Sequence, residues 1–129
     1  MSNLLKIGLK GRQDLIVTED KTARALGSGG VDVYATPAMI ALMEQTARDT
    51  VQEYLQDGET TVGTLVNVKH LAATPLNEKV TCEAELVEID RKRLVFKVIA
   101  KDEYNVIGEG MHERFIINLE KFMNKLNDR

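Results

Sequence analysis

Residues 34–58 read YATPAMIALMEQTARDTVQEYLQDG, and the architecture follows from this stretch. Thr36 suits an N-cap, because a hydroxyl there accepts an orphan N–H of the first turn. Pro37 suits the first helical position, having no N–H to lose. Ile40, Met43, Ala47, Val51 and then Tyr54 or Leu55 recur at helical spacing, with Ala38, Met39 and Leu42 widening the stripe. Asp57-Gly58 supplies a stop. About twenty residues at ~1.5 Å rise span about 30 Å, enough to cross a small domain. Glu44 falls inside the apolar stripe, between Ile40 and Ala47. A carboxylate on a core-facing surface is costly unless it is paired or used, so Glu44 is the first candidate for chemistry.

The 129 residues fit one domain, 1–129, with a sizeable core. A composition 43% hydrophobic and 29% charged, with net charge −3, is that of a soluble globular chain and argues against a nucleic-acid surface. The opening MSNLLKIGLKGRQD has no long apolar run and no small-residue cleavage pattern. No later stretch approaches the ~20 apolar residues that span a bilayer, so the expected location is cytoplasmic, without a membrane partner. The one cysteine, Cys82, allows no intrachain disulfide and no cysteine-based metal site. Its alternation with Val80 and Ala84 reads as a buried structural thiol.

Upstream of the helix, Gln13–Thr18 places Leu15 and Val17 on one face of a short strand, and Thr18-Glu19-Asp20 reads as a cap and acidic first turn of a short helix through Lys21–Leu26. Gly27-Ser-Gly-Gly30 lacks the following Lys-Ser/Thr and the preceding strand of a phosphate loop, and reads as a flexible loop placed to cover the start of the long helix. Downstream, the period changes to two. Thr61–His70 puts Val62, Thr64, Val66, Val68 and His70 on one face and Gly63, Leu65, Asn67 and Lys69 on the other. Lys79–Ile89 points Val80, Cys82, Ala84 and Leu86 inward. Asp90–Arg93 and Asp102–Asn105 are hairpin-length turns into Leu94–Lys101 and Val106–Ile117, so these strands are antiparallel. Asn118 caps a terminal helix with Leu119, Phe122, Met123 and Leu126 at helical spacing. The fold class is α+β, an antiparallel sheet wrapped around one long central helix. Its leftover edge strands favour pairing across a homodimer interface.

Three polar residues besides Glu44 stand out. His70 closes an inward-facing alternation, and His112 and Arg114 share a face of the last long strand. Each alone reads as scaffolding or solvated charge. A helix carboxylate, a strand-end histidine and the Thr36 hydroxyl together can supply a nucleophile or base, an acid and an orienting group. Two scattered histidines give no metal-ligand spacing, and no cofactor is expected.

The stretches KTARAL, VYATPAMIALME, GTLVNVKHLAATP and GEGMHERFIINLEKF, in this order from about Gly8 to Leu126, resemble the hotdog-fold thioesterases related to fluoroacetyl-CoA thioesterase. The resemblance implies a hotdog fold, a homodimer with active sites at the subunit interface, and hydrolysis of a short-chain acyl-CoA thioester. It places Thr36 on the family's active-site threonine, Glu44 on its catalytic carboxylate and His70 on its catalytic histidine. Gly63 and Arg114 fall on positions lining the acyl pocket. Where the family's namesake has an aromatic lid, this chain reads Gly27-Ser-Gly-Gly-Val-Asp-Val33, with no Phe.

Thioester cleavage needs a nucleophile or activated water, a proton donor for the departing thiolate and donors for the developing oxyanion. Glu44 can attack directly or act as general base, His70 can move the proton, and Thr36 can position water or carboxylate. Rise alone separates Thr36 and Glu44 by about 12 Å along the helix axis, so their cooperation needs the tilt of the Glu side chain or a second subunit. A non-hydrolytic acyl-CoA binding or sensing subunit is the alternative function. A hotdog hydratase would need an acid/base signature that is not found here.

Overall fold

The computed structural model describes residues 4–129, so the first three residues of the opening stretch lie outside it. The elements run β1 (Lys10–Ile16), a 3-10 turn (Glu19–Lys21), α1 (Ala23–Leu26), α2 (Thr36–Gln52), β2 (Glu59–His70), β3 (Lys79–Asp90), β4 (Arg93–Lys101), β5 (Val106–Asn118) and α3 (Leu119–Asn127). The strands form one antiparallel sheet in the order β1-β3-β4-β5-β2, with α2 packed across one face in contact with all five strands. The hairpin turns fall where the sequence puts them. At Asp102 the carboxylate accepts hydrogen bonds from the Tyr104 and Asn105 backbone N–H groups, closing the second. The Asn118 side chain accepts from the Lys121 N–H and so caps α3 as read.

The core is the inner face of the sheet against α2. Val80, Cys82, Ala84 and Leu86 of β3 and Leu94, Phe96, Val98 and Ala100 of β4 are all buried against it. Each large side chain taken fully out of water contributes about 1.5–3 kcal/mol. The thiol of Cys82 lies in this core, and burial pushes it up to about 11, away from thiolate chemistry.

Helix α2 departs from its sequence reading in three ways. It ends at Gln52, and the chain turns before Gly58, whose φ of 84° makes it the left-handed residue leading into β2. Its buried side is Met39, Leu42, Met43, Thr46, Ala47, Thr50 and Val51. Thr46 and Thr50 are admitted because their hydroxyls donate back to the Leu42 and Thr46 carbonyls. Ile40 and Glu44 therefore sit at the margin of the stripe, not in its centre. Thr36 is the first helical residue and its hydroxyl caps nothing: Ala35 holds the cap position. The same holds upstream, where Thr22, not Thr18, caps α1 by accepting from the Ala25 N–H.

Strand β2 carries the largest correction. Its register against β5 shifts between Gly63 and Leu65, so that Thr64 and Leu65 together face Glu113. This bulge reverses the parity of the strand. Before it, Thr61 and Gly63 face the helix and Val62 does not; after it, Val66, Val68 and His70 do. The predicted face holds only from Val66 onward, and Gly63 moves from the outer side to the inner.

Candidate active site

His70 ends β2 beside the first turn of α2, and its Nδ1 lies 2.7 Å from the Thr36 hydroxyl. The Thr36 side chain is free for this bond because Ala35 takes the cap position. Tyr34, buried, packs edge-on against the imidazole at 6.5 Å between ring centres. The His70 Nε2 is enclosed without a hydrogen-bond partner among the described residues. Burial lowers the His70 pKa from its usual value, opposed by the nearby Ala72 backbone, and so keeps the ring neutral near pH 7. Thr36 and His70 line a pocket of about 330 Å³ together with Ser28, Val33, Tyr34 and Leu71.

The Gly27–Val33 loop forms one wall of that pocket. It is tied down more firmly than its glycines suggest: Ser28 donates to the Ala23 carbonyl, Arg24 to that of Val31, and Ala23 to that of Val33. Arg24 also pairs with Asp32 at 2.9 Å. No aromatic ring reaches over the pocket from this segment, which contains none.

A second cluster lies two turns further along α2. Glu44 Oε2 is 3.7 Å from Arg114 Nη1, with the guanidinium almost wholly buried and the carboxylate side chain 40% exposed. Arg114 also donates to the Thr61 hydroxyl at 2.7 Å and to the Thr61 carbonyl at 2.9 Å. Gly63 is pressed into the same place, since a Cβ there would lie 2.6 Å from Glu44 Oε2 and 3.5 Å from Arg114 Nη1. His112, 1% exposed, completes the cluster. The predicted site residues therefore form two groups, Thr36 with His70 and Glu44 with Gly63 and Arg114. No hydrogen bond or ion pair joins Glu44 to Thr36 or His70 among the described residues. The sequence reading missed Thr61 and undervalued His112; the signal that could have raised His112 is its shared face with Arg114.

The strand order, the single enclosed helix and the likeness to solved structures define the class: a hotdog-fold thioesterase. The chain matches a structure of fluoroacetyl-CoA thioesterase with a TM-score of 0.92 at 36% identity, covering 98% of each chain. A variant of that enzyme in complex with fluoroacetate and CoA matches with a TM-score of 0.87 at 38% identity, over 92% of this chain and 99% of the other. A thioesterase superfamily member from Thermus thermophilus matches at 0.88 and 28% identity, over 95% and 91%. The curated fluoroacetyl-CoA thioesterase of Streptantibioticus cattleyicolor is 36% identical over 135 residues, 100% of this chain and 97% of that one. The model of the fluoroacetyl-CoA-specific thioesterase family matches residues 17–120, and the chain belongs to that family. The family's reaction is hydrolysis of an acyl-CoA thioester to free acid and CoA, and this chain is a thioester hydrolase. The binding or sensing alternative finds no support in these likenesses.

Proposed function

We propose that this thioesterase hydrolyses short-chain acyl-CoA in the cytoplasm, as a homodimer whose active sites lie between subunits. The observation that carries the reading is the 2.7 Å contact of Thr36 with a neutral His70 in the wall of a pocket, with Glu44 held apart by Arg114. Glu44 supplies the carboxylate that attacks the thioester carbonyl or activates the water that does so. Neutral His70 takes up the proton that the reacting water loses and hands it to the departing CoA thiolate, returning to neutral, and the Thr36 hydroxyl orients the reacting water or carboxylate. Gly63 and Arg114 border the acyl group. Gly63 leaves room beside the carboxylate, and Arg114 fixes its position.

The dimer is supported by the unpaired edge of β2. This twelve-residue strand ends the sheet, and Leu65, Val66, Met111 and Phe115 on and beside it are apolar and exposed. Pairing along this edge would set two α2 helices side by side. Glu44 of the partner subunit would then face Thr36 and His70.

The pocket is bordered on the side of the Gly27–Val33 loop by Ser28 and Val33, and this loop brings no ring to seal it around a small fluorinated acyl group. One methylene changes binding by only ~1–3 kcal/mol, so short acyl groups differ gradually. The test is CoA thiol release from a series of acyl-CoA substrates. kcat/KM for acetyl-CoA and fluoroacetyl-CoA should lie within about a hundredfold of each other. A preference of several orders of magnitude for the fluorinated substrate would show that another group, such as Tyr34 or Val33, seals the pocket.

A further inference from the structure

The buried imidazole of His112 is not used by the reaction described above. Its Nδ1 lies 2.8 Å from the Leu65 carbonyl, and its Nε2 lies 3.2 Å from Arg114 Nη1. A carbonyl can only accept and a guanidinium can only donate, so these two partners fix the tautomer: the proton is on Nδ1 and Nε2 is a bare acceptor. Leu65 is the residue at which β2 resumes pairing after its bulge, and the bulge is what turns Gly63 toward Glu44. The ring therefore touches both sides of the Glu44 cluster. It anchors the bulged strand through one nitrogen and the guanidinium facing Glu44 through the other. Its Cε1 would be 3.4 Å from a Cβ on Gly63, so it also walls the space next to the carboxylate.

We propose that neutral His112 is a positioning residue for thioester hydrolysis, holding Arg114 through its Nε2 in the orientation that aims Glu44 at the substrate. The inference rests on the reading of Glu44 as the reacting carboxylate. The charged groups around the ring agree with it. Arg114 and Glu113 lie on β5 and Glu44 on α2. Burial first, then the Arg114 cation, depress the His112 pKa, while the Leu65 carbonyl, Glu44 and Glu113 oppose them. Protonation would place an imidazolium N–H against a guanidinium N–H and break the link.

Two substitutions separate the two halves of the ring. His112→Asn can still donate to the Leu65 carbonyl but cannot reach Arg114, whereas His112→Gln can still accept from Arg114. With acetyl-CoA as substrate, His112→Asn should lower kcat about 10- to 100-fold, the scale of a small misplacement of a reacting group, with KM little changed. His112→Gln should retain most of kcat. In a Glu44→Gln background, His112→Asn should cost nothing further, because it acts through Glu44. Equal losses in the Asn and Gln variants, or a full additional loss in the Glu44→Gln background, would overturn the proposal. Full activity of Glu44→Gln alone would instead overturn the catalytic reading beneath it. Should the His112 variants not fold, the unaltered chain decides, since it has two histidines. Its imidazole ¹⁵N spectrum near pH 7, with the rings assigned by comparison with His70→Ala, should show the His112 ring protonated at Nδ1 and bare at Nε2, and a His112 ring protonated at Nε2 would overturn the proposal.

Discussion

At the scale of single residues, Glu44, the carboxylate proposed to react, is only weakly tied to the fold. Its side chain is 40% exposed and its contact to Arg114 is 3.7 Å, whereas Arg114 has three further hydrogen bonds, two to Thr61 and one to His112. Glu44→Gln should therefore lower kcat by at least ~100-fold, the lower range for a positioned acid or base. It should change stability by less than about 1 kcal/mol, since the half-exposed carboxylate makes only a long contact and the buried guanidinium keeps its bonds to Thr61 and His112. An unfolded Glu44→Gln, or one with normal turnover, would return Glu44 to scaffolding. The sequence alone places Glu44 within the core-facing stripe. The structure puts the burial on its cationic partner instead. A second consequence concerns pH. His70 and His112 both have pKa values lowered from 6.5 by burial. Unfolding raises them, so below pH 6.5 the unfolded chain binds more protons than the folded one. Stability contributed by the neutral rings is complete above pH 6.5 and is lost as pH falls through the lowered values. Activity should follow, with the acid limb of kcat/KM below 6.5. A limb above 6.5 would mean that neither ring is the titrating group.

At the scale of elements, the β2–β5 pair determines where the site lies. Gly108 and Gly110 of β5 leave no room for a side chain. A Cβ on Gly108 would meet the Met39 thioether, and one on Gly110 would meet the Asn67 carbonyl and lie 2.6 Å from the Val68 Cα. A methionine end can move, but a strand backbone cannot move without breaking its ladder. Gly110→Ala should thus destabilise the chain by about 1–3 kcal/mol, the cost of overpacking, and Gly108→Ala by less. Thermal or denaturant midpoints measure the difference, and equal midpoints would show that β2 is not held by this close approach. The sequence made the strands, hairpins and helix start legible because alternation, turn residues and Pro37 are local signals. It could not show the Gly63–Leu65 bulge. One extra residue reverses the parity of a strand without changing its composition, so Gly63 read as outward-facing. Nor could it show that the Thr36 hydroxyl bonds His70 and caps nothing, since a threonine before a proline has the same local pattern in either role.

At the scale of the whole molecule, the two groups of proposed site residues on one chain raise the question of how they meet. Thr36 and His70 sit at the start of α2 and Glu44 eight residues on, about 12 Å along the axis by helical rise. Within one chain they are not in contact, and the unpaired β2 edge offers a surface on which a second copy can bring them together. The three residue types were legible in the sequence because each has reactive chemistry, but their division into two groups was not, because spacing along a chain does not fix distance in space. The most direct measurement uses two inactive variants, His70→Ala and Glu44→Gln, co-expressed with different tags so that the mixed dimer can be purified. If the site is shared between subunits, each mixed dimer has one intact site out of two and should release thiol from acetyl-CoA at about half the rate of the unaltered dimer. A mixed dimer no more active than either parent would place Thr36, His70 and Glu44 in one chain's site and contradict the shared-site account.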